Sequence, residues 1–167
     1  MQRKKTTITM KTATAKIIEQ SEKVGLYSIR FNDSDITEYE KFIQKFRSDA
    51  TLNEDFKKVF IALNRIVANG ALERYFRPEG HFKDNLAALS IDSKVLRLYC
   101  LRISDQILIV GNGGVKTTRT YEEDAELSGY VMNLQKFDQL LAQELKSGKI
   151  KIEQNVITGI ESVSFEL

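Results

Sequence analysis

The stretch from Lys94 to Tyr121 constrains the fold of this chain more than any other. Its sequence, KVLRLYCLRISDQILIVGNGGVKTTRTY, predicts two adjacent β-strands at about residues 95–103 and 106–110. A glycine-rich interruption and a segment rich in basic and hydroxyl side chains follow them. Ile107 to Val110 is continuously apolar, as in an interior strand covered on both faces. Asn112-Gly113-Gly114 carries little side chain and predicts a turn or bulge. A sheet that displays cations at its strand ends indicates binding to a phosphate-rich ligand.

Length and composition exclude several classes of protein. A chain of 167 residues fits one domain, and a net charge of +2 limits any nucleic-acid site to a local patch. Cys100 is the only cysteine, which excludes an intramolecular disulfide and favours a buried structural thiol over a nucleophile. No apolar stretch approaches the roughly 20 residues that span a bilayer, so we expect no membrane association and a cytoplasmic location. The sequence also lacks a triad, carboxylate pair or metal-ligand cluster, so no metal or cofactor is predicted.

The first half of the chain predicts a tail, a strand and two helices. Residues 1–15 read as a flexible basic tail, and residues 25–31 (GLYSIRF) alternate as a half-buried strand does. Apolar residues at helical spacing predict one amphipathic helix over about residues 36–46 and a second that ends at Gly70.

The second half predicts strands and then a helix. Leu86–Ile91 is short and ambiguous, and the two central strands follow it. Residues 122–167 are predicted to form a helix, capped by Asn133 and ending near Gly148, and a C-terminal extension with one or two short strands. The whole pattern indicates a single α+β domain over residues 1–167.

Two motifs and the order strand, helix, helix, strands, helix resemble the RelE/HigB-like toxins of bacterial type II toxin–antitoxin systems. Leu96-Arg97-Leu98-Tyr99 is similar to that family's strand-arginine motif, and residues 107–118 (ILIVGNGGVKTT) are similar to its apolar strand, turn and lysine-rich exit. The resemblance covers Gly25 to about Tyr121. It implies a small antiparallel sheet flanked by helices, in which Leu86–Ile91 is the only counterpart of the strand before the arginine strand.

The resemblance also implies a function. Toxins of this family inhibit translation by cleaving mRNA, usually on the ribosome, and are held silent by a cognate antitoxin, here expected to carry a helix-turn-helix domain. In such cleavage the ribose 2′-hydroxyl loses a proton and attacks the adjacent phosphate, which gains negative charge while the 5′-oxygen leaves with a proton. Cations and a titratable side chain can serve these steps without a metal ion.

Seven residues are candidates for this chemistry. Arginine suits phosphate because its planar guanidinium group can donate two hydrogen bonds to the phosphate oxygens at once. Tyrosine can stack on a base or donate a proton. Arg97 and Lys116 match the family's motifs, and Tyr99 shares a strand face with Arg97, opposite the face expected to line the core. The remaining four are chosen by chemistry and proximity in sequence. The predicted catalytic residues are Arg97, Lys116 and Tyr99, and the predicted RNA-binding residues are Lys94, Arg102, Arg119 and Tyr121.

Each candidate also has a structural interpretation. Arg97 could pair with the acidic patch at residues 122–126, Lys116 could be an ordinary loop lysine, and Tyr99 could be a packed sheet residue. His81, the single histidine, could donate a proton or lie unused at the surface. The sequence therefore supports two functions: an endoribonuclease toxin, or a non-catalytic module that binds protein or nucleic acid through the same basic sheet end.

Overall fold

A mixed sheet of seven strands with helices on both of its faces organises the molecule. The computed structural model describes residues 11–78 and 84–167. The predicted α+β class is confirmed. In chain order the elements are β1 (Thr12–Gln20), β2 (Gly25–Phe31), α1 (Glu38–Phe46), α2 (Asn53–Asn69), β3 (Phe76–Pro78), β4 (Leu86–Leu89), β5 (Leu96–Ser104), β6 (Ile107–Val115), α3 (Ala125–Ser147), β7 (Lys151–Glu153), β8 (Val156–Thr158) and β9 (Phe165–Glu166).

The sheet is larger than the one that the family resemblance implies. Its strand order is β3-β4-β5-β6-β2-β1-β9, while β7 and β8 form a separate hairpin. Among the described residues, neighbouring strands are antiparallel except β2 and β6, which run parallel with Gly25 opposite Ile107 and Ser28 opposite Val110. The long connection through α1, α2 and three strands is what lets β6 return in the direction of β2.

The prediction of a flexible tail over residues 1–15 is wrong for residues 12–15. Residues 12–15 belong to β1, which pairs with β2 through rungs such as Ala13–Phe31 and Ala15–Ile29. Ala13 and Ala15 are buried, but their small side chains add little to a hydrophobic pattern, so the alternation is too weak to reveal the strand. Residues 1–10 lie outside the part of the chain that the structure describes.

The core has two halves, one on each face of the sheet. Leu98, Cys100 and Leu108 pack with α1 and α2 on one face. Tyr99 and Ile109 pack with α3 on the other face. Because side chains alternate between the faces of a strand, the central strands β5 and β6 are apolar on both sides. The prediction that residues 107–110 form a doubly covered strand is confirmed.

Helix α3 is longer than predicted. It begins at Ala125 rather than near Asn133, and the side chain of Asp124 caps it by accepting a hydrogen bond from the backbone N–H of Leu127 at 3.0 Å. Acidic side chains at this position satisfy free amide donors and suit the positive end of the helix dipole. The helix ends before Gly148, as predicted, and its extra turns cover the sheet close to the end of β6.

The glycine-rich part of β6 is a bulge inside the strand rather than its end. Leu98 lies opposite Gly113 and Cys100 opposite Val110, so β6 has one residue more than β5 over this interval. The side-chain Oδ1 of Asn112 accepts a hydrogen bond from the backbone N–H of Gly113 at 2.7 Å. The predicted bulge is confirmed, and β6 continues beyond it to Val115.

Replacing Gly113 with alanine is expected to destabilise the fold, because the new Cβ would collide with the carbonyl oxygen of Arg97. Overpacking of this kind costs roughly 1–3 kcal/mol. Gly129 of α3 is the matched control: no atom lies within 4 Å of its ideal Cβ position, so Gly129→Ala should stabilise the helix by up to about 1 kcal/mol. Urea denaturation measures both effects. Equal stability of the two variants would mean that the bulge tolerates a side chain.

Cys100 is expected to be unreactive in the folded protein. Its side chain is fully buried, and burial raises the pKa of the thiol to about 12, so no thiolate forms near pH 8. A thiol-exchange reagent should therefore label Cys100 only as the chain unfolds. Because the unfolded thiol ionises near an ordinary pKa of about 8.5, stability should fall as the pH rises above that value. Rapid labelling of the folded protein at pH 8 would contradict this burial.

Candidate functional site

The candidate site lies at the open end of the β5–β6 hairpin, where β5 begins and β6 ends. The backbone N–H of Lys116 donates to the carbonyl oxygen of Val95 at 2.7 Å, which extends the ladder by one rung. Lys94 is exposed, Lys116 is half-buried, and Arg119 is exposed. We call the side chains of Lys94, Lys116 and Arg119 the basic surface. We call residues 116–124, which lead from β6 into α3, the exit segment.

Arg97 and Lys116 lie on the same face of the hairpin. Arg97 is opposite Gly114, and Val95 is opposite Lys116, so positions 97 and 116 are two rungs apart and share a face. Diagonal neighbours of this kind are about 7–8 Å apart. Gly114 has no side chain of its own, and Leu127 of α3 lies over it, with Cδ2 3.2 Å from the position that a Cβ would take. The structure thus brings together the two residues that match the family's motifs.

Helix α3 covers the face that carries Arg97 and Tyr99, so the expectation that this face lies opposite the core is wrong. Tyr99 is 0% exposed and belongs to the core cluster that includes Val131 of α3, and Arg97 is 8% exposed. The guanidinium Nη1 of Arg97 donates to the carbonyl oxygens of Leu96 and Ser93, at 3.1 and 3.4 Å. Arg97 and Tyr99 are buried because α3 begins earlier than predicted and places apolar side chains over both central strands.

Tyr121 connects the exit segment to this core. It is half-buried, and its ring meets the ring of Tyr99 edge-on, with 6.2 Å between the centroids and 69° between the planes. Such edge-to-face pairs are favourable beyond the area that they bury. Tyr121 is the more exposed of the two tyrosines, and the roles predicted for both stay predictions.

Four carboxylates follow the basic surface in the chain. Glu122, Glu123, Asp124 and Glu126 follow Arg119 in the chain, and the three glutamates are exposed. Asp124 and Glu126 stabilise the start of α3, so part of this acidity serves the helix. The open end of the hairpin is therefore of mixed charge rather than strongly positive.

Arg102 does not join the other six predicted residues. It lies on β5 five residues beyond Arg97, which at about 3.3 Å per residue places it roughly 17 Å away, beside the β5–β6 turn. Its Nε donates to the carbonyl oxygen of Ala71 at 2.7 Å, and its guanidinium pairs with Asp105 and, at 3.8 Å, with Glu73. These contacts connect β5 to the residues that follow α2, so the observed role of Arg102 is structural.

A network that the sequence did not predict lies beside the exit segment. Lys45 of α1 donates from its Nζ to the carbonyl oxygen of Gly113 at 2.9 Å, and to Glu126 and Tyr130 of α3, both at 3.0 Å. The Tyr130 hydroxyl donates to Glu126 at 2.7 Å. Hydrogen bonds from Tyr130 and Lys45 hold the pKa of Glu126 below its usual range, while burial and Glu126 raise the pKa of Tyr130. Lys45 is far from these residues in sequence, so no local pattern could have found it.

The described residues contain neither a metal centre nor a membrane helix. Within residues 11–78 and 84–167, no group of three acidic, histidine or cysteine side chains could hold a metal ion. No helix in the same residues is both long enough and apolar enough to cross a bilayer. His81, the possible proton donor, lies outside the described part of the chain.

Comparisons with known proteins add no family assignment. No protein-family model matches the sequence, and neither the curated proteins nor the solved structures gave a match. The resemblance to RelE/HigB-like toxins therefore rests on the motifs around Arg97 and Lys116 and on the order of the elements.

Proposed function

We propose that this protein is a toxin of the RelE/HigB type, which inhibits translation by metal-independent, ribosome-associated cleavage of mRNA. The order strand, helix, helix, strands, helix from β2 to α3 supports the proposal, because it is the order on which the resemblance rests. Strand β4, at Leu86–Leu89, adds support, since it pairs with β5 where the resemblance requires a strand before the arginine strand.

The observation that carries the proposal is the diagonal placement of Arg97 and Lys116 on one face of the hairpin. The positive charges of two such side chains can act together on one phosphate. In this proposal Lys116 and Arg119 contact the scissile phosphate, because they are the accessible members of the set. Arg97 contributes its permanent positive charge from its buried position, and the half-buried ring of Tyr121 could stack on a base.

The partners follow from the same proposal. The mRNA and the ribosome would meet the basic surface, whose residues lie at the end of the sheet and not within it. A cognate antitoxin with a helix-turn-helix domain would silence the toxin, most simply by covering that surface. Such a pair acts in the cytoplasm, which is the location that we propose for this protein.

The second candidate is a non-catalytic module that binds protein or nucleic acid. The burial of Arg97 and Tyr99 favours it, because two of the three predicted catalytic side chains lie beneath α3. The mixed charge of the open end also favours it, since the nearby carboxylates weaken the field that would hold a polyanion.

Mapping of RNA 5′ ends after brief induction separates the two candidates. The wild-type chain should produce new cuts within translated frames, and Lys116→Ala with Arg119→Ala should reduce them by roughly a hundredfold or more, as for other groups that stabilise a developing charge. The control is Lys151→Ala with Lys136→Ala, which removes two exposed lysines on β7 and α3. These substitutions should leave the cuts unchanged.

Two results would decide against the toxin. Absence of new cuts from a folded wild-type chain would contradict cleavage, and binding to RNA or protein that depends on the basic surface would then favour the module. Equal loss of cleavage in the control pair would show that general charge, rather than this surface, governs the effect.

A further inference from the structure

One ammonium group connects the strand before the exit segment to the helix after it. The Nζ of Lys45 bonds to the carbonyl oxygen of Gly113, which lies three residues before Lys116, and to Glu126 and Tyr130, in the first turns of α3. Gly113 and Glu126 are thus both within 3.0 Å of the same nitrogen. The chain between them carries three of the predicted site residues.

We propose that Lys45 is a positioning residue that clamps the two ends of the exit segment and so fixes the basic surface. This inference rests on the proposed function for its consequence, which is the placement of Lys116 and Arg119 for phosphate. The clamp itself rests on the contacts of Lys45 and is testable without any substrate.

The chemistry of the contacts suits lysine. An ammonium group has three donors, and Lys45 has three acceptors of different kinds: a carbonyl oxygen, a carboxylate and a phenol oxygen. The charge also lies 4.9 Å from the ring centroid of Tyr130 and 5.5 Å from that of Phe46, both within cation–π range. Its side chain is 33% exposed, so water competes only in part for these bonds.

The other restraints on the exit segment are mostly local. The segment begins with the bond from the Lys116 N–H to Val95, and the Thr118 hydroxyl donates to the carbonyl oxygen of Thr120 at 2.6 Å. A short turn at Tyr121–Glu123 adds backbone bonds from Glu123 to Thr120 and from Asp124 to Tyr121, at 3.3 and 3.0 Å. The Tyr99–Tyr121 ring contact is the next restraint. Removing the Lys45 ammonium would free the segment locally, because α3 stays anchored by its own buried apolar residues.

Hydrogen exchange measured by mass spectrometry tests the clamp. Lys45→Met keeps the length of the side chain and removes its charge, and we expect amides in residues 117–124 to exchange about fivefold faster, while those of α2 are unchanged. Lys45→Arg, which restores a charged donor, should return the rate toward that of the wild type. Lys57→Met is the control, because Lys57 forms an exposed ion pair with Glu54 within α2. It should leave the exit segment unchanged.

The cleavage assay gives the second readout. If the proposed function holds, Lys45→Met should lose cleavage with little change in global stability, and Lys45→Arg should recover part of it. Faster exchange of the exit-segment amides in Lys45→Met, together with a wild-type chain that cuts no RNA, would support the clamp and contradict the proposed toxin function. Unchanged exchange in Lys45→Met, or equal acceleration across the whole protein, would overturn the clamp whether or not the wild type cuts RNA.

Discussion

The close approach of β5, β6 and α3 at the bulge of β6 is the constraint on which the rest of the structure depends. A Cβ on Gly111 would lie 2.8 Å from Cδ1 of Leu134 in α3, and one on Gly113 would meet the backbone of Arg97. Any larger residue would push the helix or the neighbouring strand away. Because α3 lies this close, it buries Arg97 and Tyr99, and it brings its first turn within reach of Lys45. The burial of the arginine and the course of the exit segment thus have one cause.

Local pattern revealed the elements whose side chains are large and regularly spaced, and missed those whose side chains are small or polar. β2, β5 and β6 were predictable because Val, Ile, Leu and Tyr repeat with the period of a strand, and Gly148 gave the end of α3. β1 was missed because Ala13 and Ala15 form its buried side. The start of α3 was missed because acidic residues around Asp124 read as a surface patch, although acids are what a helix N-terminus favours.

Proximity in sequence was a poor guide to the site. Arg102 is only five residues from Arg97 in sequence. Because the strand is extended, the two residues are roughly 17 Å apart, and Arg102 lies at the other end of the hairpin. Lys45, by contrast, is 68 residues from Gly113 and bonds directly to it. Strand periodicity correctly placed Arg97 and Tyr99 on one face, but it could not tell whether a helix covers that face. Whether a helix covers a strand face depends on tertiary packing, which the periodicity of one strand does not contain.

The burial of Arg97 leaves it able to act on a ligand through its charge rather than through direct contact. A phosphate held at Lys116 would interact with the guanidinium through the protein, where the effective dielectric is about 20 rather than the roughly 80 of water. The exposed carboxylates Glu122 and Glu123 would oppose this attraction through water, where salt screens charges beyond about 8 Å. A buried arginine is therefore screened less than the exposed acids. If the proposed function holds, selectivity for phosphate in this site of mixed charge would depend on how firmly the exit segment holds Lys116 near Arg97.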